Sequence, residues 1–469
     1  MDESLRMTAQ HLHISSHFVH ACRVILNFVL FDLSDLSAIS ALSDLYNMID
    51  IKFLLENPEK VAENNTRRGK QIDVSFAVKH AKDRAESLEQ VQELRTKANE
   101  LSKSVSTASA EDRPAIIEQG KQLKEQTKEW EEKLTQAESL LSAELFKYPN
   151  ILRDDVPTGT DGSQNEQVRV FGEPPKFSFT PKDHLELGEK LGIIDVERAS
   201  KVSGARFVYL KGDAVLLEFA LIQYALSELL KEKFVPVIPP HLINIEAMAA
   251  MGYLQHGGEE EVYHLKNDPM VLIGTSEQAL GPMHMNEILD EEQLPLRYAG
   301  FSPCYRREAG SYGKDTRGIL RVHQFDKIEM FSFTTPERSD EEHELLLSIE
   351  ERLMQGLELP YRVMKLCSGD TGTPSARTYD IETWMPSQNE YRETHSTSNT
   401  TDFQTRRLNI RVRRKTKNEC AHALNGTAFA IGRTLIAILE NYQQEDGSIV
   451  VPKVLQKWLG KEKIAKYIA

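Results

Sequence analysis

GFSPCYRREAGSYGKDTRGILRVHQFDKIEMFSF, residues 300–333, reads as strand, loop, strand. FSPCYRRE alternates apolar and polar up to Arg306, Arg307 and Glu308. RVHQFDKIEMFSF alternates again, with Val322, Phe325, Ile328, Met330, Phe331 and Phe333 as apolar members. Between them EAGSYGKDTRG carries three glycines and four charges. A strand face with Arg306, Glu308, Arg321 and Glu329 cannot meet an apolar core, because unpaired buried charge costs too much; it meets solvent or a charged ligand. One reading is a solvated hairpin with cross-strand ion pairs. The other is a nucleotide platform: Arg306 forks onto a phosphate, Phe325 stacks on a base and Glu329 holds an ammonium or hydroxyl. The chain has neither a G-x-x-x-x-G-K-[ST] loop nor a strand–G-x-G-x-x-G–helix unit, so a nucleotide site here uses side chains on a sheet.

Outside that hairpin, 469 residues allow two or three domains, and 40% hydrophobic with 27% charged residues is ordinary for a soluble protein. The net charge of −14 excludes bulk electrostatic binding of nucleic acid, so any such contact is local. Cys22, Cys304, Cys367 and Cys420 are scattered, which fits a reducing compartment and gives neither a zinc site nor a disulfide framework. No apolar run reaches the ~18 residues of a membrane span.

Towards the N-terminus the pattern becomes helical. Ala81, Ala85, Leu88, Val91, Leu94, Ala98, Leu101 and Val105 recur at threes and fours, and Ile116, Gly120, Leu123, Thr127, Trp130, Leu134, Ala137 and Leu141 repeat the rhythm after a break. Pro114 suits a first helical turn. The expectation is an antiparallel coiled-coil hairpin over about 75–146, which by pattern alone is an oligomerisation or spacer element. Residues 147–180, rich in Pro, Gly, Asp and Asn, read as a linker. Residues 213–232 read as an amphipathic helix, and FVPVIPP as the end of a strand.

Further on, Thr275, Ser276 and Glu277 open a helix-like run, and local sequence favours a capping box. YDIETWMP alternates as a strand. YRETHSTSN gathers hydroxyls beside Glu393; such runs are usually loop surface, but oxygen ligands also suit hydrated magnesium. Arg406, Arg407, Arg411, Arg413, Arg414, Lys415 and Lys417 read as solvated surface. HALNGTAFAIGRTLIAILENYQ, 422–443, reads as a loop followed by an amphipathic helix with Arg433 near its start.

CYRREAGSYGKDTRGILRVHQFDKIEMF resembles motif 2 of the class II aminoacyl-tRNA synthetases, in the form of bacterial-type seryl-tRNA synthetases. The resemblance runs from about residue 48 to the end. It implies an α+β fold: an antiparallel-sheet catalytic domain over 156–469 and a helical arm over 48–155 that lies against the long variable arm of tRNA. Lys79, Lys82, Arg84, Arg95, Lys97, Lys103, Lys121 and Lys124 are its available phosphate partners. Family members usually begin near Met48, so either Met48 is the biological start or 1–47 is a loosely packed extension, with a regulatory or partner-binding helix as the less favoured alternative.

The resemblance further implies ATP-dependent attachment of L-serine to serine tRNA through a seryl-adenylate, with selenocysteine tRNA as a further substrate, in a cytoplasmic, zinc-free homodimer built on motif 1 around 213–240. It assigns catalysis to Arg306, Glu393 and Arg433, and serine to Thr275, Ser276, Glu277, Arg306, Glu329 and Thr427. ATP falls to Arg306, Arg307, Glu308, Arg321, Val322, Phe325, Glu393, Thr394, His395, Ser396 and Arg433, with Mg²⁺ on Glu393 and Ser396. The chain departs from the family pattern at His395, where serine is typical, and at Thr397, where cysteine is typical; the former puts ATP affinity in question. Two rivals are a ligase that loads another carrier and a non-enzymatic coiled-coil protein. The intact arm weighs against the first, and Arg306, Glu329 and Arg433 together weigh against the second.

Overall fold

A computed structural model describes residues 49–105, 109, 111–254, 258–309 and 318–466. The expectations for residues 1–47 and for most of the 308–318 loop lie outside the described residues. Eight strands form the main sheet, numbered here in chain order: β1 Glu166–Phe171, β2 Val235–Val237, β3 Leu296–Tyr305, β4 Gln324–Thr334, β5 Tyr361–Lys365, β6 Arg377–Met385, β7 Glu390–Thr401 and β8 His422–Ala430. Their spatial order is β1-β5-β6-β7-β8-β4-β3-β2. All neighbours are antiparallel except β2 and β3. Pro236 lies in β2, the edge strand, where its missing N–H breaks no inner ladder.

The 300–333 hairpin forms as read, with Cys304 opposite Phe325, Ser302 opposite Lys327 and Gly300 opposite Glu329. Its ends differ from the reading. β3 stops at Tyr305 and β4 starts at Gln324, so Arg306, Glu308 and Arg321 stand just beyond the ladder. Both faces of β4 are covered. Ile328 and Met330 join the larger core on the helix side, while Phe331 and Phe333 join a second cluster.

Three helices position the sheet's working parts. Of the two in the helix layer, α4 (Ser339–Gly356) packs across β7 and β8. There α5 (Ile431–Asn441) presents Ile431, Leu435, Ile438 and Leu439 to the core. The third, α3 (Asp213–Leu229), matches the amphipathic reading. The stretch 422–430, read as a loop, is instead the central strand β8. Its small and polar residues hide the strand period, because both of its faces are occupied. The polar run around Glu393 is likewise a strand, β7, not loop surface.

The arm is two long helices, α1 (Val74–Val105) and α2 (Arg113–Leu145), each roughly 48–50 Å at 1.5 Å per residue. Every apolar position read on α2 lies at least partly buried, with Leu134, Ala137 and Leu141 deepest. On α1 the rhythm slips near the base: Ala85 is exposed, Ser87 is buried, and Arg84 turns inward to the buried Glu138 at 3.3 Å.

The arm's root is pinned to the sheet domain. Phe403 packs with Leu54, Val61, Leu141, Leu145 and Tyr148. Arg68 is buried and donates to the carbonyls of Thr371 at 3.1 Å, Gly372 at 3.2 Å and Ser375 at its other nitrogen. Burial brings its guanidinium down to about 9, with Arg67 adding to the shift. The segment read as a linker is held too: Asn150 donates to Pro374 O at 2.8 Å and Thr400 O at 2.7 Å, and the same segment contains β1. Among the described residues no helix is long and apolar enough to cross a membrane.

Candidate active site

The cleft lies on the sheet face away from α4, over β4, β8 and β7. Period-2 alternation brings Phe325, Lys327 and Glu329 up from β4 on one face. Lys327 and Glu329 are both buried and form a tight ion pair. Thr427 stands opposite Glu329 in the register and its hydroxyl reaches Glu329 Oε2 at 3.4 Å. At the hairpin's open end Arg306 donates from Nε to Gly274 O at 3.1 Å, and its guanidinium lies 5.3 Å from the Phe325 ring centre. Glu308 and Arg321 close the base of the loop as an ion pair at 2.9 Å.

A second group forms one wall. Glu277 is buried and accepts from Tyr253 at 2.7 Å, Gln404 at 2.9 Å and Asn425 at 3.0 Å. Burial and the neighbouring Glu329 charge push its carboxyl up, against the pull of those donors and Lys327. Burial and the Glu277 charge in turn push the Tyr253 phenol well up, so it stays a donor. Thr275 accepts the Glu277 N–H at 3.3 Å, a tight local turn. Ser276 caps nothing; its hydroxyl donates to Gly300 O at 3.1 Å. The capping box suggested by local sequence is therefore absent, and the Ser276 side chain is spent on the sheet.

The far side of the cleft is built on β7. Arg433, at the start of α5, donates to the Glu393 carbonyl at 3.0 Å and lies 3.0 Å from its carboxylate. Burial pushes the Glu393 carboxyl up, but Arg433, Arg306 and Arg321 outweigh it and hold the group below its ordinary value. Asp380 faces Ser396 across the β6–β7 ladder and accepts from its hydroxyl. Burial and the Glu393 charge push Asp380 well up. One of its oxygens, Oδ1, is buried with no hydrogen-bond partner. Glu393, Ser396 and Asp380 thus offer oxygen donors alone, the set a hard divalent cation takes. Among the described residues no group of three or more His, Cys, Asp or Glu is arranged to hold a metal ion.

Several expected side chains are not in the cleft. A β-bulge opposite Ile381 and Glu382 turns Thr394 and His395 together towards the helix layer. Thr394 bonds Thr383 at 2.7 Å, and His395 Nε2 lies 3.0 Å from Ala428 O beside the Phe429 ring. Burial lowers His395 to about 4, so it stays neutral. Val322 is in the core. Arg307 is exposed, with its N–H on Glu261 O at 2.9 Å. The basic run is not simply solvated surface either. Arg407 is fully buried over the Phe403 ring, and Arg414 is gripped by Glu291, Glu337 and Glu419.

Sequence reasoning missed Lys327, Asn425, Gln404, Tyr253 and Asp380. Lys327 was legible, since it alternates with Phe325 and Glu329 on one strand face. The others come from separate stretches that only the fold brings together.

Comparison with known proteins gives a consistent outcome. The family model of the tRNA synthetase class II core domain (G, H, P, S and T) matches residues 262–442, and that of the seryl-tRNA synthetase N-terminal domain matches residues 48–152. The chain is 44% identical over 419 residues to the serine–tRNA ligase of Rubrobacter xylanophilus, covering 89% of this chain and 99% of that one. It is 48% identical over 424 residues to the serine–tRNA ligase of Thermosipho africanus, again 89% and 99%. Among solved structures it is similar to the seryl-tRNA synthetase from Pyrococcus horikoshii complexed with ATP, with a TM-score of 0.84 and 38% identity over 89% of this chain and 100% of that one.

Proposed function

The chain belongs to the seryl-tRNA synthetase family and is a class II serine–tRNA ligase, and from that premise we propose that it activates L-serine with ATP as a seryl-adenylate and passes the seryl group to the 3′-terminal ribose of serine tRNA. The reading extends to selenocysteine tRNA as a second acceptor. The observation that carries it is the convergence of Arg306, Glu329, Thr427, Glu393 and Arg433, from three segments far apart in sequence, on one sheet face.

The first step joins two anions, the serine carboxylate and the α-phosphate. A guanidinium between them removes the repulsion and sets the attack geometry, and Arg306, anchored on Gly274 O over Phe325, is the group for that task. Phe325 stacks on adenine, with Glu308 beside it at the loop base. Arg433 draws charge from the leaving pyrophosphate. Glu393 and Ser396 are the residues that would hold Mg²⁺, with Asp380 behind them; when bound, the ion supplies charge neutralisation to the phosphates.

Serine's ammonium falls to Glu329 and its hydroxyl to Thr427 and the Thr275–Glu277 wall. A buried site built to pair a hydroxyl leaves polar groups unpaired when alanine enters, which is worth up to ~10⁵ in rate. Threonine adds one methyl, worth only about 1–3 kcal/mol by binding, so shape must exclude it.

Motif 1 supports a homodimer. Leu216 and Phe219 on α3, Leu230 just after it, Val235 on β2 and Ile238 just past it are large apolar side chains left exposed. The scattered free cysteines Cys304, Cys367 and Cys420 support the reading of a cytoplasmic, reducing compartment. The reading divides the described chain into an arm to about 155 and a catalytic domain beyond. Serine-dependent ATP–pyrophosphate exchange by the purified protein tests it, followed by charging of serine tRNA and selenocysteine tRNA. No exchange with serine would sink the enzyme reading; exchange without tRNA charging would favour a ligase for another carrier.

A further inference from the structure

One buried acid has no place in that mechanism. Glu350 sits on α4 with no exposure, between Leu346, Leu347, Ile349 and Leu353, where an aliphatic side chain would cost less. Its carboxyl lies directly beneath β8: a Cβ added at Gly426 would fall 3.0 Å from Glu350 Oε1 and 3.0 Å from Thr397 Oγ1. Neither oxygen has a hydrogen-bond partner among the described residues, and the nearby backbone N–H of Thr427 only partly eases its burial. Burial and the Glu329, Asp380 and Glu351 charges push the acid well up.

The location explains the need for it. The β4–β8 register slips between Thr427 and Phe429. A bulge leaves a strand N–H without its ladder partner, and a buried orphan donor is costly. Glu350 brings its carboxyl up from below, with Oε1 against Gly426 and close to the Thr427 N–H without a formed bond. Thr397 also meets the strand from below, two residues before Thr427, donating to Asn425 O at 2.9 Å. Above the sheet, the same three residues put Asn425 on Glu277 at 3.0 Å and Thr427 against Glu329.

We infer that Glu350 is a positioning residue for amino-acid selection: from beneath the sheet it seats Gly426 and Thr427 just ahead of the bulge at Ala428, keeps the Thr427 hydroxyl aimed at Glu329, and so sets discrimination for serine. This rests on the serine-site reading above. A purely structural role would change stability without changing which amino acid is used.

Four variants test it: Glu350→Gln, Glu350→Met, Glu350→Asp and Thr427→Ala. Each is assayed by ATP–pyrophosphate exchange with serine, threonine and alanine, beside its Tm. Glu350→Gln keeps an acceptor and stays within about twofold of wild type. Glu350→Met raises the serine KM about tenfold, lowers serine-over-alanine discrimination by a similar factor, and leaves the ATP KM unchanged. A Glu350→Met enzyme with wild-type serine KM and discrimination, alongside a Thr427→Ala enzyme whose serine KM has risen, overturns the seat alone. Wild-type serine KM in Thr427→Ala overturns the serine-site reading and the seat with it. Should Glu350→Met not fold, Glu350→Asp carries the test, its carboxyl one methylene short. Faster amide exchange across 424–430 with a raised serine KM is then expected, and wild-type values for both overturn the inference.

Discussion

Arg433 Nη1 sits 3.0 Å from the Glu393 carbonyl and 3.0 Å from the Glu393 carboxylate, so one guanidinium fixes both the backbone and the side chain of the same residue. Both contacts come from the one nitrogen, which a lysine ammonium could imitate, but a lysine has no second guanidinium nitrogen left to face the leaving pyrophosphate. Arg433→Lys should therefore keep part of the charge and lose the alignment. Exchange should fall about 10²-fold in kcat with a smaller change in serine KM, and Arg433→Ala further still. Wild-type kcat in Arg433→Lys would remove the arginine from the leaving-group role.

Lys327 and Glu329 make the deepest ion pair of the cleft. Removing one partner strands the other, at about 3–5 kcal/mol by precedent. Lys327→Met should lower Tm by several degrees. Serine's ammonium would then answer Glu329 in its place, so saturating serine should raise Tm more in the variant than in the parent. Equal serine-induced shifts in thermal melts would show that the ammonium is held elsewhere.

How much of this was open to reading depends on where the partners lie along the chain. The hairpin was legible because Phe325, Lys327 and Glu329 alternate against Ile328 and Met330. β8 was not, because Gly426 must stay bare above Glu350 while Asn425 and Thr427 face the cleft, which erases the apolar period. Arm helix α2 followed its heptads. Helix α1 slipped where the inward Arg84–Glu138 pair displaced Ala85 from the seam, a contact no local pattern encodes. Polar walls such as Glu277 with Tyr253, Gln404 and Asn425 draw on three distant segments and become visible only once folded.

His395 departs from its family's pattern, yet its ring faces the helix layer, and burial lowers its pKa to about 4, which keeps it neutral near pH 7. His395→Ser should leave the ATP KM within about twofold. Stability should respond instead. The folded-state value lies below the ordinary 6.5, so the unfolded chain takes up the proton first as pH falls. His395 thus contributes fully above about 6.5, and its share is lost between there and about 4, at up to about 1.4 kcal/mol per pH unit. Tm of His395→Ser should fall less steeply across that window. A raised ATP KM with an unchanged Tm slope would place the ring in the nucleotide site.

Phe219 on α3 and Ile238 just past β2 are exposed at 57% and 79%. Their burial across a two-fold would remove a patch that is otherwise open to water. Phe219→Glu with Ile238→Glu should shift the mass seen by light scattering from dimer to monomer and abolish exchange. A variant that stays dimeric would move the interface elsewhere.

The arm's cations are not equivalent. Arg84 is turned into the hairpin, and Arg95, Lys97 and Lys121 are matched to Glu131, Glu93 and Glu118. Lys79, Lys82 and Lys124 have no ion-pair partner among the described residues, which leaves them the cheapest to give to a phosphate. Each exposed cation that meets a phosphate releases counterions, so its loss should lower the salt slope of tRNA binding by roughly one. Lys79→Ala, Lys82→Ala and Lys124→Ala should raise the tRNA KM and flatten that slope, while tRNA-independent exchange stays at wild type. Arg95→Ala, already satisfied by Glu131, should do less. If the paired and unpaired cations affect charging equally, the surface that meets tRNA is not chosen by which side chains are free, and the arm binds through shape instead.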